Sequence, residues 1–168
     1  MRLNIVATFT KVSFEEYLRA NKNREMDEES LRKEYDAIKL PFRATPMSAG
    51  YDFYLPRDVE ILDNRPSSIV YTGIRAEIDP DYVLLLTPRS GYGFKYGLGL
   101  ANTIGVIDPD YADADNEGHI AAMLTAHVPV SLKAGDRFMQ GIFVPFGFAI
   151  TEEGKPQQRK GGFGSTGG

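Results

Sequence analysis

Five short segments interrupt an otherwise strand-like chain with residues able to do chemistry. In order they are Ala49-Gly50-Tyr51-Asp52; Pro88-Arg89-Ser90-Gly91; Asn102 through Gly105-Val106-Ile107-Asp108-Pro109-Asp110-Tyr111; Gly135-Asp136-Arg137 with Gln140; and the stretch from Arg159 to Gly168. Taken singly, each of the first four has the composition of a turn, where Gly, Pro, Asp and Ser are favoured for backbone reasons. The last is more pointed. Arg159-Lys160-Gly161-Gly162-Phe163-Gly164-Ser165-Thr166 offers cations, hydroxyls and exposable backbone N–H groups. All are donors suited to phosphate, and the lone ring could stack on a base.

Several other chemistries fail on residue type or spacing. There is no G-x-x-x-x-G-K-[ST] loop, and Gly91-Tyr92-Gly93-Phe94-Lys95-Tyr96-Gly97 misses the dinucleotide-binding spacing by one residue. The absence of cysteine removes disulfides and thiolate zinc sites. His119 and His127 are too few for a histidine zinc cage, and they read as ordinary strand or loop residues. No G-x-S-x-G elbow is present. With 19 basic against 23 acidic residues, the net charge of −4 argues against a broad nucleic-acid surface. The charge is uneven, basic around Lys155, Arg159 and Lys160 and acidic over 108–117. No apolar run reaches the roughly 20 residues of a membrane span, and the N-terminus does not read as a signal peptide. The expectation is a cytoplasmic protein that does not bind membranes.

The elements that must position these segments are mostly strands. Residues 2–10 are β-branched and aromatic and predict a first strand. Ser13 then reads as the N-cap of a helix, with Glu16 at the capping-box position. A second helix is expected over 27–38, with Leu31, Tyr35 and Ile38 on one face and Pro41 ending it. Beyond Pro41, apolar stretches at 68–72, 82–87, 120–130 and 142–150 alternate with Gly, Pro, Asn and Asp. That pattern predicts an all-β barrel or sandwich, with a short helix near 91–96. The division expected is one β domain over 1–153 and a tail over 154–168 that is mobile without ligand.

Together and in this order, the five segments resemble the signature motifs of the trimeric dUTP diphosphatases (dUTPases), over most of the chain from Lys39 onward. The resemblance implies a distorted jelly-roll barrel and a homotrimer whose three active sites combine segments from all three chains. It implies hydrolysis of dUTP to dUMP and pyrophosphate, which limits uracil incorporation into DNA and supplies dUMP for dTMP synthesis. Arg89, Ser90 and Gly91 would grip phosphates through a guanidinium, a hydroxyl and backbone N–H groups. Asn102, Gly105, Val106 and Ile107 would receive the uracil edge in a narrow hairpin. Tyr111 would pack beneath the sugar and leave no room for a ribose 2′-hydroxyl, a discrimination by shape that needs a rigid wall. Asp108 would align the attacking water and accept its proton. Gln140 would donate near the α-phosphate, while Arg137 would either join it or pair with an internal carboxylate. In the tail, Phe163 would stack over uracil while Arg159, Gly164, Ser165 and Thr166 close on the β- and γ-phosphates. The implied cofactor is Mg²⁺ carried mainly by the triphosphate, with Asp52 supporting it through water.

Two departures from the family pattern stand out. The acidic stretch 112–117 is expected to be a solvated insertion, or else a place where Asp113, Asp115 or Glu117 meets a metal or a protein partner. The helical insertion over 13–38 is expected to be a surface packing element or a partner-binding one. The related dCTP deaminases also carry an Ile-Asp-Pro segment. They place a glutamate in the following strand, however, where this chain has Ile120-Ala121-Ala122-Met123-Leu124, and a second arginine near the position of Lys95. A nucleotide-sensing regulatory protein is the third reading, motivated by the two insertions.

Overall fold

The computed structural model describes residues 5–62 and 65–149. In chain order the described elements are β1 (Ala7–Lys11), α1 (Phe14–Ala20), α2 (Glu28–Asp36), β2 (Tyr51–Tyr54), β3 (Val59–Ile61), β4 (Val70–Tyr71), β5 (Ile74–Ile78) and β6 (Tyr82–Pro88). They continue with α3 (Ser90–Tyr96), β7 (Gly99–Leu100), β8 (Gly105–Ile107), a 3-10 turn (Pro109–Asp113), β9 (Ala121–Ala122), β10 (Leu124–Thr125), β11 (Val130–Leu132) and β12 (Arg137–Pro145). The chain is mostly β with short helices, as the spacing of its apolar stretches predicts.

Four strands form the sheet that carries the site, in the order β2-β12-β6-β8, and all three pairings are antiparallel. The remaining strands pair in twos, β1 with β5, β3 with β11, β4 with β9 and β7 with β10. Alternation sets the faces: β3 and β8 bury their first and last residues, and β5 buries Ile74, Ala76 and Ile78 while Glu77 is exposed. In β12 Phe138 and Met139 are buried in succession, which strict alternation forbids. A register shift between Arg137 and Met139 in the pairing with β2 accounts for it, since a bulge rotates the strand between neighbours. Phe53, Leu84, Leu86, Ile107, Phe138 and Met139 belong to the main core.

The helices make a second, smaller core from Val12, Phe14, Tyr17 and Leu31. Half-buried Ile38 packs against both cores. This explains why α2 stops at Asp36 and does not continue to Ile38 as expected. The chain turns out of the helix to send Ile38 inward, and Lys11 Nζ donates to the carbonyls of Tyr35, which also accepts from Ile38 N, and of Asp36. Ser13 caps α1 by accepting from Glu16 N, as expected. The reciprocal half of the box is different: Ser13 N donates to Glu117 Oε2 at 2.7 Å, and the Glu16 carboxylate turns to Arg19 and His119.

Three further expectations need correction. The stretch 120–130 is not one strand but contains β9, β10 and the start of β11, because the chain changes partner from β4 to β7 to β3 within a dozen residues. The apolar 142–150 stretch holds the end of a longer strand that starts at Arg137. The acidic 112–117 loop is not a solvated insertion. Ala114 is buried, Ala112, Asn116 and Glu117 are half-buried, and only Asp113 and Asp115 are exposed. Arg19 donates to the Asp115 carbonyl, while Arg75 donates to those of Glu117 and Ala112. The two departures from the family pattern therefore pack on each other.

Candidate active site

The third segment is not the β-hairpin expected, since β7 pairs with β10 and β8 with β6, but it forms the wall of a cavity of about 270 Å³. Asn102, Gly105, Val106, Ile107 and Tyr111 line it, together with Leu86, Leu100, Ile104, Ala121 and Ala122. Gly105 pairs with Leu86 across the β6–β8 ladder, and a Cβ there would meet the Leu86 side chain at 3.0 Å. Glycine thus lets β8 approach β6 closely and leaves the hollow open. Asn102, Ile104 and Val106 are exposed on the rim, whereas Ile107 and Tyr111 are buried. The wall is shape-based, mostly aliphatic with one aromatic ring.

Asp108 follows β8 directly and stands at the N-cap of the 3-10 turn, half-buried. Its side chain makes no capping bond to that turn. Asp108 stands one residue beyond the strand that lines the cavity, with Pro109 after it and the β6–β8 pairing before it.

The second and fourth segments meet elsewhere on the same sheet. Arg89, Gly91 and Arg137 line a depression of about 350 Å³ with Tyr54, Tyr92, Lys95, Gly135 and Asp136. Arg89 leaves the end of β6 and Arg137 begins β12, strands that the antiparallel register sets side by side at Met139 and Pro88. Buried Asp52 on β2 lies between the two cations. Its Oδ1 pairs with Arg89 Nε at 2.9 Å and its Oδ2 with an Arg137 guanidinium nitrogen at 3.1 Å. Arg137 thus takes the second of its two expected roles, pairing with an internal carboxylate. Two guanidiniums around one carboxylate leave a net positive site, to which Lys95 adds its charge. Burial, followed by a hydrogen bond to Asp136, raises the Tyr92 phenol above its ordinary value of 10.0. At neutral pH it is a neutral donor.

Ser90 opens α3 and is exposed, and Gly91 beside it has open space where a side chain would stand. Gln140 is half-buried on β12 opposite Asp52 and Thr87. A Cβ at Gly50 would stand 2.5 Å from Gln140 Oε1, so the first segment's glycine makes room for the fourth segment's amide. Arg159, Phe163, Gly164, Ser165 and Thr166 lie outside the described residues. Sequence reasoning missed Lys95, Tyr92 and Tyr54 as lining of the cationic depression. Tyr92 and Lys95 stand three apart on α3 and so share a face, a signal that the helix expected near 91–96 already offered. Among the described residues no cluster of three or more His, Cys, Asp or Glu could hold a metal. No helix among them is long and apolar enough to cross a membrane.

A family model described as dUTPase matches residues 36–167, a span that begins where α2 ends. The deoxyuridine 5′-triphosphate nucleotidohydrolase of Lactococcus lactis subsp. lactis is 38% identical over 134 residues, covering 77% of this chain and 89% of its own. The crystal structure of the dUTPase from Streptococcus mutans is 41% identical, with a TM-score of 0.59 over 66% of this chain and 88% of that one. A Staphylococcus bacteriophage 80alpha dUTPase mutant solved with dUpNHpp is similar in fold over 98% of this chain and 99% of its own, with a TM-score of 0.57 at 21% identity.

Proposed function

The chain belongs to the dUTPase family, and we propose that it hydrolyses dUTP to dUMP and pyrophosphate by in-line attack of an Asp108-activated water on the α-phosphorus. The observation that carries this reading is the joining of a base-sized cavity and a carboxylate on one short segment of chain, β8 and the turn that follows it. Asn102, Gly105, Val106, Ile107 and Tyr111 wall the cavity, and Asp108 sits between the last strand residue and the tyrosine. Backbone groups around Gly105 and the Asn102 amide offer donors and acceptors for the uracil edge. The narrowness of the hollow works against larger bases and the thymine methyl. The carboxylate accepts the proton of the attacking water, a contribution of typically about 10²–10⁴-fold for a well-placed base.

Phosphate binding falls to the arginine depression. Arg89, Ser90 and the N–H of Gly91 take the phosphoryl oxygens, Gln140 donates near the α-phosphate, and Asp52 keeps the Arg89 guanidinium oriented. Mg²⁺ held mainly by the triphosphate oxygens would neutralise the charge of the leaving pyrophosphate. A contribution of Asp52 to that ion would pass through a water. Arg159, Phe163, Gly164, Ser165 and Thr166 complete the enclosure on the ring and terminal-phosphate side. The base cavity and the cationic depression share no lining residue, which supports a site assembled between copies in a homotrimer. Buried Ala121 and Ala122, where deaminase chemistry needs a glutamate, support hydrolysis over deamination.

The test is pyrophosphate release from dUTP, UTP, dTTP and dCTP, with Mg²⁺ and with chelator. Release from dUTP alone, abolished by chelator, is the expected result. Ammonia from dCTP without pyrophosphate from dUTP would overturn the reading, and equal turnover of UTP would remove the role given to Tyr111.

A further inference from the structure

The wall of the base cavity is held from behind by the two segments that set this chain apart from the family pattern. The buried Tyr111 hydroxyl donates to the carbonyl of His119 at 2.9 Å and accepts from Asn116 Nδ2 at 2.8 Å. Asn116 belongs to the acidic loop, and its own carbonyl accepts from His119 N. The loop reaches back to Tyr111 through a left-handed pair, Glu117 at φ 57 and Gly118 at φ 70. At Gly118 any Cβ would stand 2.8 Å from the Ala112 Cα and the Tyr111 carbonyl oxygen, so the return is as tight as a backbone can make it.

The loop in turn is tied to α1. His119, 1% exposed, accepts from Gly73 N at Nε2, so that nitrogen carries no proton and Nδ1–H donates to Glu16 Oε1 at 3.1 Å. Glu117 grips the helix start at Ser13 N and Oγ. A continuous set of contacts therefore runs from α1 through Glu16 and His119 to the phenol of Tyr111. Nothing in it faces solvent enough to be explained as surface chemistry.

We propose that Asn116, His119 and Glu16 are positioning residues for Tyr111, and that the α1 segment and the 112–117 loop together set rejection of the ribose 2′-hydroxyl. This rests on reading the cavity as the dUTP site. A wall that discriminates by shape alone fails as soon as it can yield by a fraction of an ångström, because one extra hydroxyl is otherwise rejected weakly by an apolar pocket. A phenol bonded on both sides cannot swing away from the added oxygen. The two insertions thus stiffen a specificity element without touching substrate.

The experiment compares kcat/KM for dUTP and UTP in the full-length protein and in Asn116→Asp, Asn116→Ala, Glu16→Ala and Glu16→Gln. Asn116→Asp keeps the shape but loses the N–H donor, and Glu16→Gln keeps an acceptor for His119 while Glu16→Ala does not. The expected result is a dUTP-over-UTP preference reduced about 10-fold or more in both Asn116 variants and in Glu16→Ala, and retained in Glu16→Gln. A merely structural role would lower the melting temperature and leave that ratio unmoved. An unchanged ratio in Asn116→Asp and Asn116→Ala, with a selective wild type, overturns the inference alone and is readable even where Glu16→Ala fails to fold. A wild type that hydrolyses UTP and dUTP equally overturns the parent reading, and this one with it.

Discussion

Replacing Asp52 by asparagine separates two roles that one carboxylate could play. The change is isosteric, but it removes the charge between Arg89 and Arg137 and turns an NH₂ group toward one guanidinium. Both bonds are of ion-pair length, 2.9 and 3.1 Å, and the Asp52 side chain is only 7% exposed. The Arg137 contact is also a hydrogen bond, and one to a charged group is worth about 1.5–3 kcal/mol, while the Arg89 contact is an ion pair alone. The arginines, at 31% and 45% exposure, recover much of that from water. A net loss of about 2 kcal/mol follows, which for a domain of this size lowers the melting temperature by about 4–8 °C. The larger effect falls on catalysis, because an unheld Arg89 meets the phosphates in many orientations. We expect kcat/KM for dUTP to fall about 10–100-fold. Pyrophosphate release measured across Mg²⁺ concentrations, alongside thermal unfolding, reads both effects. A kcat/KM that stays within about twofold of wild type while the melting temperature falls would refute the clamp assignment. Restoration of full activity by raised Mg²⁺ would shift the role of Asp52 from the arginines to the metal.

Other outcomes follow from single residues. Asp108→Asn should cut kcat for dUTP by about 10²–10⁴-fold with little change in nucleotide affinity, measured by pre-steady-state release and equilibrium binding. Phe163→Ala should raise KM for dUTP more than it lowers kcat in steady-state pyrophosphate release, since the role proposed for the ring is to cover a bound base. Gly118→Ala should destabilise by about 2 kcal/mol or more in urea unfolding, because it adds a left-handed penalty to a backbone clash at 2.8 Å. Burial alone would push the Glu16 carboxyl up, but hydrogen bonds from His119 and Arg19 outweigh it and hold the group below its ordinary 4.5. A carboxyl lowered by folding contributes stability that is complete above pH 4.5 and is lost as pH falls toward the folded value. The melting-temperature gap between wild type and Glu16→Gln should therefore be widest above pH 4.5 and narrow below it; a gap that widens in acid contradicts the sign.

The site was more legible than the framework around it. Motif residues such as Gly105, Asp108 and Tyr111 are close in sequence, so one strand and the 3-10 turn after it keep them together, with β6 as the strand's partner. Ser13 announces its helix by local capping chemistry and does cap it, whereas Asp27, expected inside the second helix, stands before it as its cap. The three-way division of 120–130 is not local. Each piece pairs with a different distant strand, and nothing in IAAMLTAHVPV marks where one partner gives way to the next.

The sequence by itself determined the family, the mostly β character and the residues with chemistry to offer, because these depend on residue type and near spacing. Only the tertiary structure decided what Asp52, Glu117 and His119 do. An aspartate in a turn, a glutamate in an acidic run and a lone histidine all read as solvated or incidental from composition. Their partners stand tens of residues away: Arg89 and Arg137 for Asp52, Ser13 for Glu117, and Glu16 with Gly73 for His119. Burial makes those partners obligatory, since a desolvated charge or ring nitrogen needs a bond. Which groups meet is set by the β2-β12-β6 pairing for Asp52 and by the packing of α1 on the 112–117 loop for Glu117 and His119, and no local pattern encodes it.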